Sequence, residues 1–227
     1  MSDPRTITVT GEALVRVVPD HVVVTLGVES VERDLAKARV ANDERARRVL
    51  DAARAHGVVD ADLATDQVSI EPRRDDYTQP KPSAFAVQKT IVATLRDLGK
   101  FEGLIAACLD AGATHVHGVQ FATGALRKHR DAARVAAVKA AREKAALLAK
   151  ELGASVGPAL RVAEGAGRWW SSWGFWGGRR GAPMQQNVLS AATAEAPEMG
   201  ETTSPGTVNV SANVEVTFEL DVRGGDR

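Results

Sequence analysis

The chain has 227 residues, is 44% hydrophobic, and balances 29 lysines and arginines against 29 aspartates and glutamates. That is enough for a buried core in one domain or in two lobes, and the neutral total gives no reason to expect nucleic acid as a partner. A single cysteine, Cys108, excludes an intramolecular disulfide, and no stretch reaches the ~18 apolar residues of a spanning helix.

The chain opens MSDPRTITVTGEA. This start has no basic n-region and no apolar h-region, so it reads as cytoplasmic. A trimmed leader would leave the same residues, so an extracytoplasmic address stays open. Residues 6–13 alternate, with Ile7, Val9, Gly11 and Ala13 on one face, which predicts a half-buried strand. Pro19 and Asp20 mark a turn. Residues 21–30 form a second strand with Val22, Val24, Leu26 and Val28 on one side.

From Asp34 to His56 the period becomes helical. Leu35, Ala38, Ala41, Val49, Leu50 and Ala53 trace a stripe broken at its middle. Asp34 is placed as the N-cap and Gly57 as the stop. Residues 66–71 are a short strand ending at Pro72, and the polar 73–83 a hairpin loop. Residues 85–95 are strand, 98–111 helix ending at Gly112, and 114–123 a fifth strand. The longest helix spans 126–152, with Val135, Val138, Ala145, Leu148 and Leu152 as its apolar stripe and Gly153 as its stop. A short strand at 159–163 follows.

Residues 164–205 have almost no aliphatic pattern and form a long loop before the last strand. Trp, Gly and Arg dominate its first part, and Ala, Glu, Thr and Pro its second. A loop of that length is functional or unfolded. The final strand alternates without a break from Val208 to Leu220, and its length predicts one face on helices and one in water. Helices and strands do not alternate strictly, so the pattern predicts an α+β fold: two layers, with three helices packed on a mainly antiparallel sheet. The first five elements, strand-strand-helix-strand-strand, are grouped as one layer pair.

These residues resemble the SIMPL-domain family of bacterial periplasmic and outer-membrane-associated immunogenic proteins. The resemblance runs from about Ile7 to Leu220, and the chain is read as a single SIMPL-type domain over 5–222. It rests on Gly11-Glu12, Pro19-Asp20 and Val28-Glu29 at the start, and on His56-Gly57-Val58 with Asp62-Leu63 and Thr65. Glu71-Pro72, the run from Asp110 to Phe121, Leu152-Gly153 and Pro205-Gly206 continue it. Order and spacing carry the resemblance, since no single motif is specific. It implies a non-enzymatic, often oligomeric α+β protein of largely uncharacterised function, tied to envelope or oxidative-stress phenotypes. A eukaryotic relative is associated with kinase signalling. The resemblance carries over no catalytic residue and no cofactor.

The chemistry-bearing residues are read against blander roles. Cys108 lies in a helix with no histidine at helical spacing, which favours a core thiol over a nucleophile. His115 and His117 point to one face of a strand. Two imidazoles are short of a structural metal site, so no metal is assigned and solvated histidines are favoured. Asp60, Asp62, Asp66 and Glu71 lie in a polar approach to a strand and read as solvated. The longest helix carries eight lysines and arginines against Asp131, Glu143 and Glu151. A solvated basic face is favoured there over a nucleic-acid surface. No nucleotide-binding or hydrolase motif is present.

One run stands apart: RWWSSWGFWGGRR, residues 168–180, holds all four tryptophans. Trp169, Trp170, Trp173, Phe175, Trp176, Arg179 and Arg180 are the candidate contact residues. Trp and Arg are enriched at interface hot spots, so contact between copies of the chain or with another protein is favoured. A plug on the sheet, docking at a membrane surface through indoles and Arg168, Arg179 and Arg180, and an unfolded segment stay open.

Overall fold

The computed structural model describes residues 5–74, 81–165, 189–191 and 206–222. They form β1 (Thr6–Val17), β2 (His21–Glu32), α1 (Leu35–Ala55), β3 (Leu63–Arg73), β4 (Ala84–Leu95), α2 (Phe101–Asp110), β5 (His115–Ala122), α3 (Leu126–Glu151), β6 (Ala154–Glu164), β7 (Leu189–Ala191) and β8 (Val208–Val222). Short 3-10 turns at Asp60–Asp62 and Leu98–Lys100 lead into β3 and α2. Three helices pack on two sheets, as the α+β reading expects. The sheets have the strand orders β6-β8-β1-β7 and β3-β4-β2-β5, and every pairing is antiparallel except the short parallel one of β1 with β7. The chain divides into two compact units, one around each sheet.

The first unit holds β1, α3, β6, β7 and β8. Here the grouping of β1 with the elements that follow it is corrected. β1 pairs along its whole length with β8, from Thr6 opposite Glu219 to Val17 opposite Val208. Both strands alternate strictly, so one register puts Val9, Ala13, Val17, Val210, Val214, Val216 and Phe218 on the same buried side. The other side carries Thr8, Thr10, Glu12, Ser211, Asn213 and Glu215. The long final strand therefore has one face under a helix and one wet.

The stripe read for α3 is also corrected. Its buried residues are Ala133, Ala137, Ala141, Ala145 and Ala149. Val135, Val138, Leu147, Leu148 and Leu152 are exposed instead, Val135 by 56% and Leu152 by 73%. The cause lies on β1. A Cβ on Gly11 would fall 2.0 Å from the Ala137 carbonyl oxygen and 2.5 Å from the Ala141 nitrogen. Only a glycine facing an all-alanine stripe allows backbone and helix to approach so closely. Lys144 then reaches across to donate to the Thr10 carbonyl at 2.8 Å.

β6 is longer than the 159–163 expected, because Gly157, Pro158 and two register shifts against β8 break its alternation. The three-residue β7 falls inside the span read as a loop.

The second unit holds β2, α1, β3, β4, α2 and β5. Val22, Val24, Leu26 and Val28 interleave with Ile91, Ala93 and Leu95 under Val49, Ala53, Leu104 and Cys108. Each such aliphatic contributes ~1.5–3 kcal/mol when fully buried. Phe101 meets Phe121 edge-on at 5.7 Å. Asp34 caps α1 by accepting from the Lys37 N–H at 3.0 Å, and Gly57 ends it at φ 94°.

The gap in the middle of the α1 stripe is filled by Asn42 and Ala46, both buried. Leu35, placed on that stripe, is exposed. Asn42 donates to the carbonyls of Val28 at 2.7 Å and Val87 at 2.9 Å, tying the helix to two strands at once.

Candidate functional site

The seven contact residues read from the sequence, Trp169, Trp170, Trp173, Phe175, Trp176, Arg179 and Arg180, lie outside the described residues. The structure does place the other chemistry-bearing groups. Cys108 is fully buried in α2, its thiol facing the Val49 carbonyl at 3.9 Å. Burial pushes the thiol up to about 11, so it is protonated and shielded at neutral pH.

The acidic approach to β3 does not converge. Arg96 holds Asp62 in a two-bond fork at 2.8 and 3.0 Å. These hydrogen bonds keep the Asp62 carboxyl below the usual carboxylate range. Asp60 pairs instead with Arg54 at 2.7 Å, and Arg54 also binds Asp51. Asp66 sits where the register of β3 shifts, and Glu71 is exposed. On α3, Arg134 is committed to Glu164 at 2.6 Å and Asp131 at 3.0 Å. The basic helix thus spends part of its charge inside its own unit.

Asp20 shows what the Pro-Asp pair does. Its carboxylate accepts from the Gly124 N–H at 3.0 Å, the Thr123 hydroxyl at 3.1 Å and His21 Nδ1 at 2.5 Å. Burial works against the charge, but hydrogen bonds from His21, Gly124 and Thr123 outweigh it and hold the carboxyl below its ordinary value. The turn after β1 and the end of β5 are pinned together by this one side chain.

The face of the second sheet turned away from α1 and α2 brings together residues that the sequence keeps apart. Thr25 pairs with Gly118 and Leu26 with Val116, which leaves His117 as an extra residue in a β-bulge. The bulge tips its ring over Gly27. A Cβ on Gly27 would lie 2.5 Å from His117 Nε2 and 3.2 Å from His115 Cβ. The rings of His115 and His117 lie parallel within 3°, their centroids 5.7 Å apart. From β4, the Gln88 carboxamide comes within 3.3 Å of His117 Nε2.

Thr114 fixes the other ring. Its hydroxyl accepts from the Glu29 N–H at 3.0 Å and lies 3.1 Å from the Gly27 carbonyl, which also accepts the Thr114 N–H at 2.8 Å. The same hydroxyl lies 2.9 Å from His115 Nδ1, a contact in which either group can donate. Alternation alone places the two histidines on one face. It gives no sign of the bulge, the glycine cradle or Gln88. No group of three or more His, Cys, Asp or Glu side chains able to hold a metal occurs among the described residues.

Residues 7–218 match the family model described as "SIMPL: Protein of unknown function (DUF541)". The chain belongs to the SIMPL family. It is 25% identical over 221 residues to "Uncharacterized protein YggE" of Edwardsiella ictaluri, covering 96% of this chain and 87% of that one. It is 25% identical over 169 residues to the "26 kDa periplasmic immunogenic protein" of Brucella melitensis, covering 72% and 68%. The YggE protein of Escherichia coli K12 is 26% identical over 164 residues, covering 71% and 66%. Among solved structures, the crystal structure of AtUAH in complex with (S)-hydroxyglycine aligns over 55% of this chain and 34% of that one. The identity is 11% and the TM-score 0.31, a likeness too slight to bear on fold or activity. Among the described residues no helix is long and apolar enough to cross a membrane.

Proposed function

We propose that this SIMPL-family chain is a non-enzymatic, self-associating structural or interaction protein with a stress-related role in the cell envelope. One observation carries the reading: α3 buries alanines and turns its large aliphatics, Val135, Val138, Leu147, Leu148 and Leu152, to the outside. Surface leucines and valines scattered singly need no explanation. Four on α3, with Leu152 at its C-terminal cap, give the helix exposed apolar area to bury against a second copy. The tryptophan run adds to it. Four indoles and Phe175, at ~150–250 Å² each, are on the scale of the ~800 Å² per partner that a stable interface buries. An address outside the cytoplasm is supported by the printed name of the Brucella relative.

The test is solution mass by light scattering, for the parent and for a variant with Trp169, Trp170, Trp173 and Trp176 changed to serine. A second variant carries Val135→Lys and Leu147→Lys. An oligomeric parent that either variant reduces to a monomer supports assembly. A monomeric parent over the micromolar range removes the reading. Arg168, Arg179 and Arg180 beside the indoles favour one other role, docking on anionic lipid. Co-sedimentation of a monomeric parent with phosphatidylglycerol vesicles, but not with neutral ones, would select it.

A further inference from the structure

We propose that the face of the second sheet turned away from α1 and α2 carries an exchangeable binding site for a late first-row divalent ion, copper(II) above all. His115 and His117 are its imidazole ligands, and Gln88 is within reach as a third donor. Three features of the geometry support this, and the proposal does not depend on self-association.

The first is the anchoring of His115. A metal-binding imidazole usually has its second nitrogen held by a fixed hydrogen-bond partner, which sets the ring. The Thr114 hydroxyl, 2.9 Å from His115 Nδ1, is such a partner, and the His115 side chain is exposed.

The second is the seat of His117. The bulge adds a residue, and Gly27 removes a side chain from the central strand directly beneath it. Any other residue at position 27 would put a Cβ 2.5 Å from Nε2. The two departures from regular sheet together place the second imidazole beside the first.

The third is Gln88. Cis donors ~2.0 Å from a tetragonal copper(II) lie ~2.8 Å apart, and the carboxamide is already within 3.3 Å of His117 Nε2. Turning the amide over presents its oxygen without moving the side chain. The exposed rings meet the ion by rotation about χ2, a broad torsion. Two neutral imidazoles, one amide oxygen and water form a set that favours copper(II) at the top of the divalent series, with nickel and zinc weaker.

Untagged protein titrated with copper(II) at pH 7.5 tests this by calorimetry and by electron paramagnetic resonance. The parent should take up one ion per chain, with a type 2 signal split by nitrogen. The His115→Ala/His117→Ala double variant keeps His21, His56 and His129, and should lose that uptake by at least tenfold. Thr114→Val, which removes the hydroxyl partner of His115 Nδ1 together with its contacts to the Glu29 N–H and the Gly27 carbonyl, should weaken it ~10-fold. Circular dichroism checks folding, and Gln88→Ala with Thr114→Val replaces the double variant if that one does not fold. Parent affinity and stoichiometry retained in a folded double variant, or in the folded Gln88→Ala/Thr114→Val pair, overturns the proposal. So does a parent that takes up no copper at 100-fold excess over chain.

Discussion

Gly11→Ala is the sharpest test of how the first unit is built. The added Cβ would lie 2.0 Å from Ala137 O, 2.5 Å from Ala141 N and 2.8 Å from Ala141 Cβ, and real Cβ atoms essentially never approach within 3.0 Å. The nearest two atoms are helix backbone, so no rotamer change relieves them. The helix must retreat by about 1 Å, and a gap of ~0.5–1 Å forfeits roughly a quarter to a half of each dispersion contact. The retreat is felt along the whole stripe from Ala133 to Ala145, which packs on β1 and β8. Overpacking costs ~1–3 kcal/mol where side chains can yield, so a backbone clash belongs at ~3 kcal/mol. With a urea slope of ~2 kcal/mol per molar, the midpoint should fall by ~1.5 M. The assay is urea unfolding followed by circular dichroism, with Gly99→Ala as control. A Cβ at position 99 meets only an Asp97 oxygen, at 3.4 Å. A Gly11→Ala midpoint within ~0.2 M of the parent would refute the close approach of α3 to β1.

Other expectations concern the second unit. Asn42→Ala leaves the Val28 and Val87 carbonyls buried without their side-chain donor and should cost ~2–4 kcal/mol, read by the same denaturation; a loss below ~0.5 kcal/mol would mean the two bonds add nothing. Asp20 has a depressed folded-state value, so its contribution is present above the unfolded value of ~3.9 and is lost as pH falls through the lower folded value. Asp20→Asn should therefore flatten the fall of thermal midpoint below pH 4, and an unchanged acid limb contradicts this. Cys108, buried and with its thiol at about 11, should resist a thiol reagent at pH 7.5 until urea unfolds the chain; rapid labelling of the native protein would place the thiol at the surface.

The sequence was most legible where one rule acted alone. The alternation of β1 and β8, the Asp34 cap and the glycine stops of the helices all follow from local chemistry, and all stand. Reading failed where a distant residue decided. Size points to Val135, Val138, Leu148 and Leu152 beside Ala145 as the α3 stripe, and of these only Ala145 is buried. Gly11, more than 120 positions away, reverses that choice by admitting only alanine. The break in the α1 stripe looked like a loss of pattern. It is Asn42, a polar residue buried because two strand carbonyls accept from it. At β6, Pro158 and the register shifts erased the alternation that would have marked its start. The two histidines were visible as a pair, but Gln88 is 29 positions from His117, and no spacing rule connects them.

The faces of the two sheets turned away from their helices differ in a way that bears on function. On the first, polar residues meet across regular pairs: Thr8 bonds Thr217 at 2.9 Å, and Asn213 donates to Glu12 at 3.3 Å. Along β1 and β8 the register runs without a break, and cross-strand pairs of this kind stabilise a sheet by a few tenths of a kcal/mol each, up to ~1. The second face breaks the rules at adjacent points. It has a glycine in the middle of its central strand, a bulge on the edge strand beside it, and an imidazole tipped into the space between. Each departure costs stability by itself, since a strand glycine packs nothing and a bulge gives up ladder bonds. Together they produce one result, two parallel imidazoles beside a carboxamide. Local violations that agree with one another are the pattern expected of a site rather than of a scaffold. Restoring regularity with Gly27→Ala should therefore turn His117 out of its seat while β2 gains strand propensity. The Hε1 and Hδ2 resonances of that ring would report the change directly. If they keep their parent shifts, the glycine is incidental to the cluster.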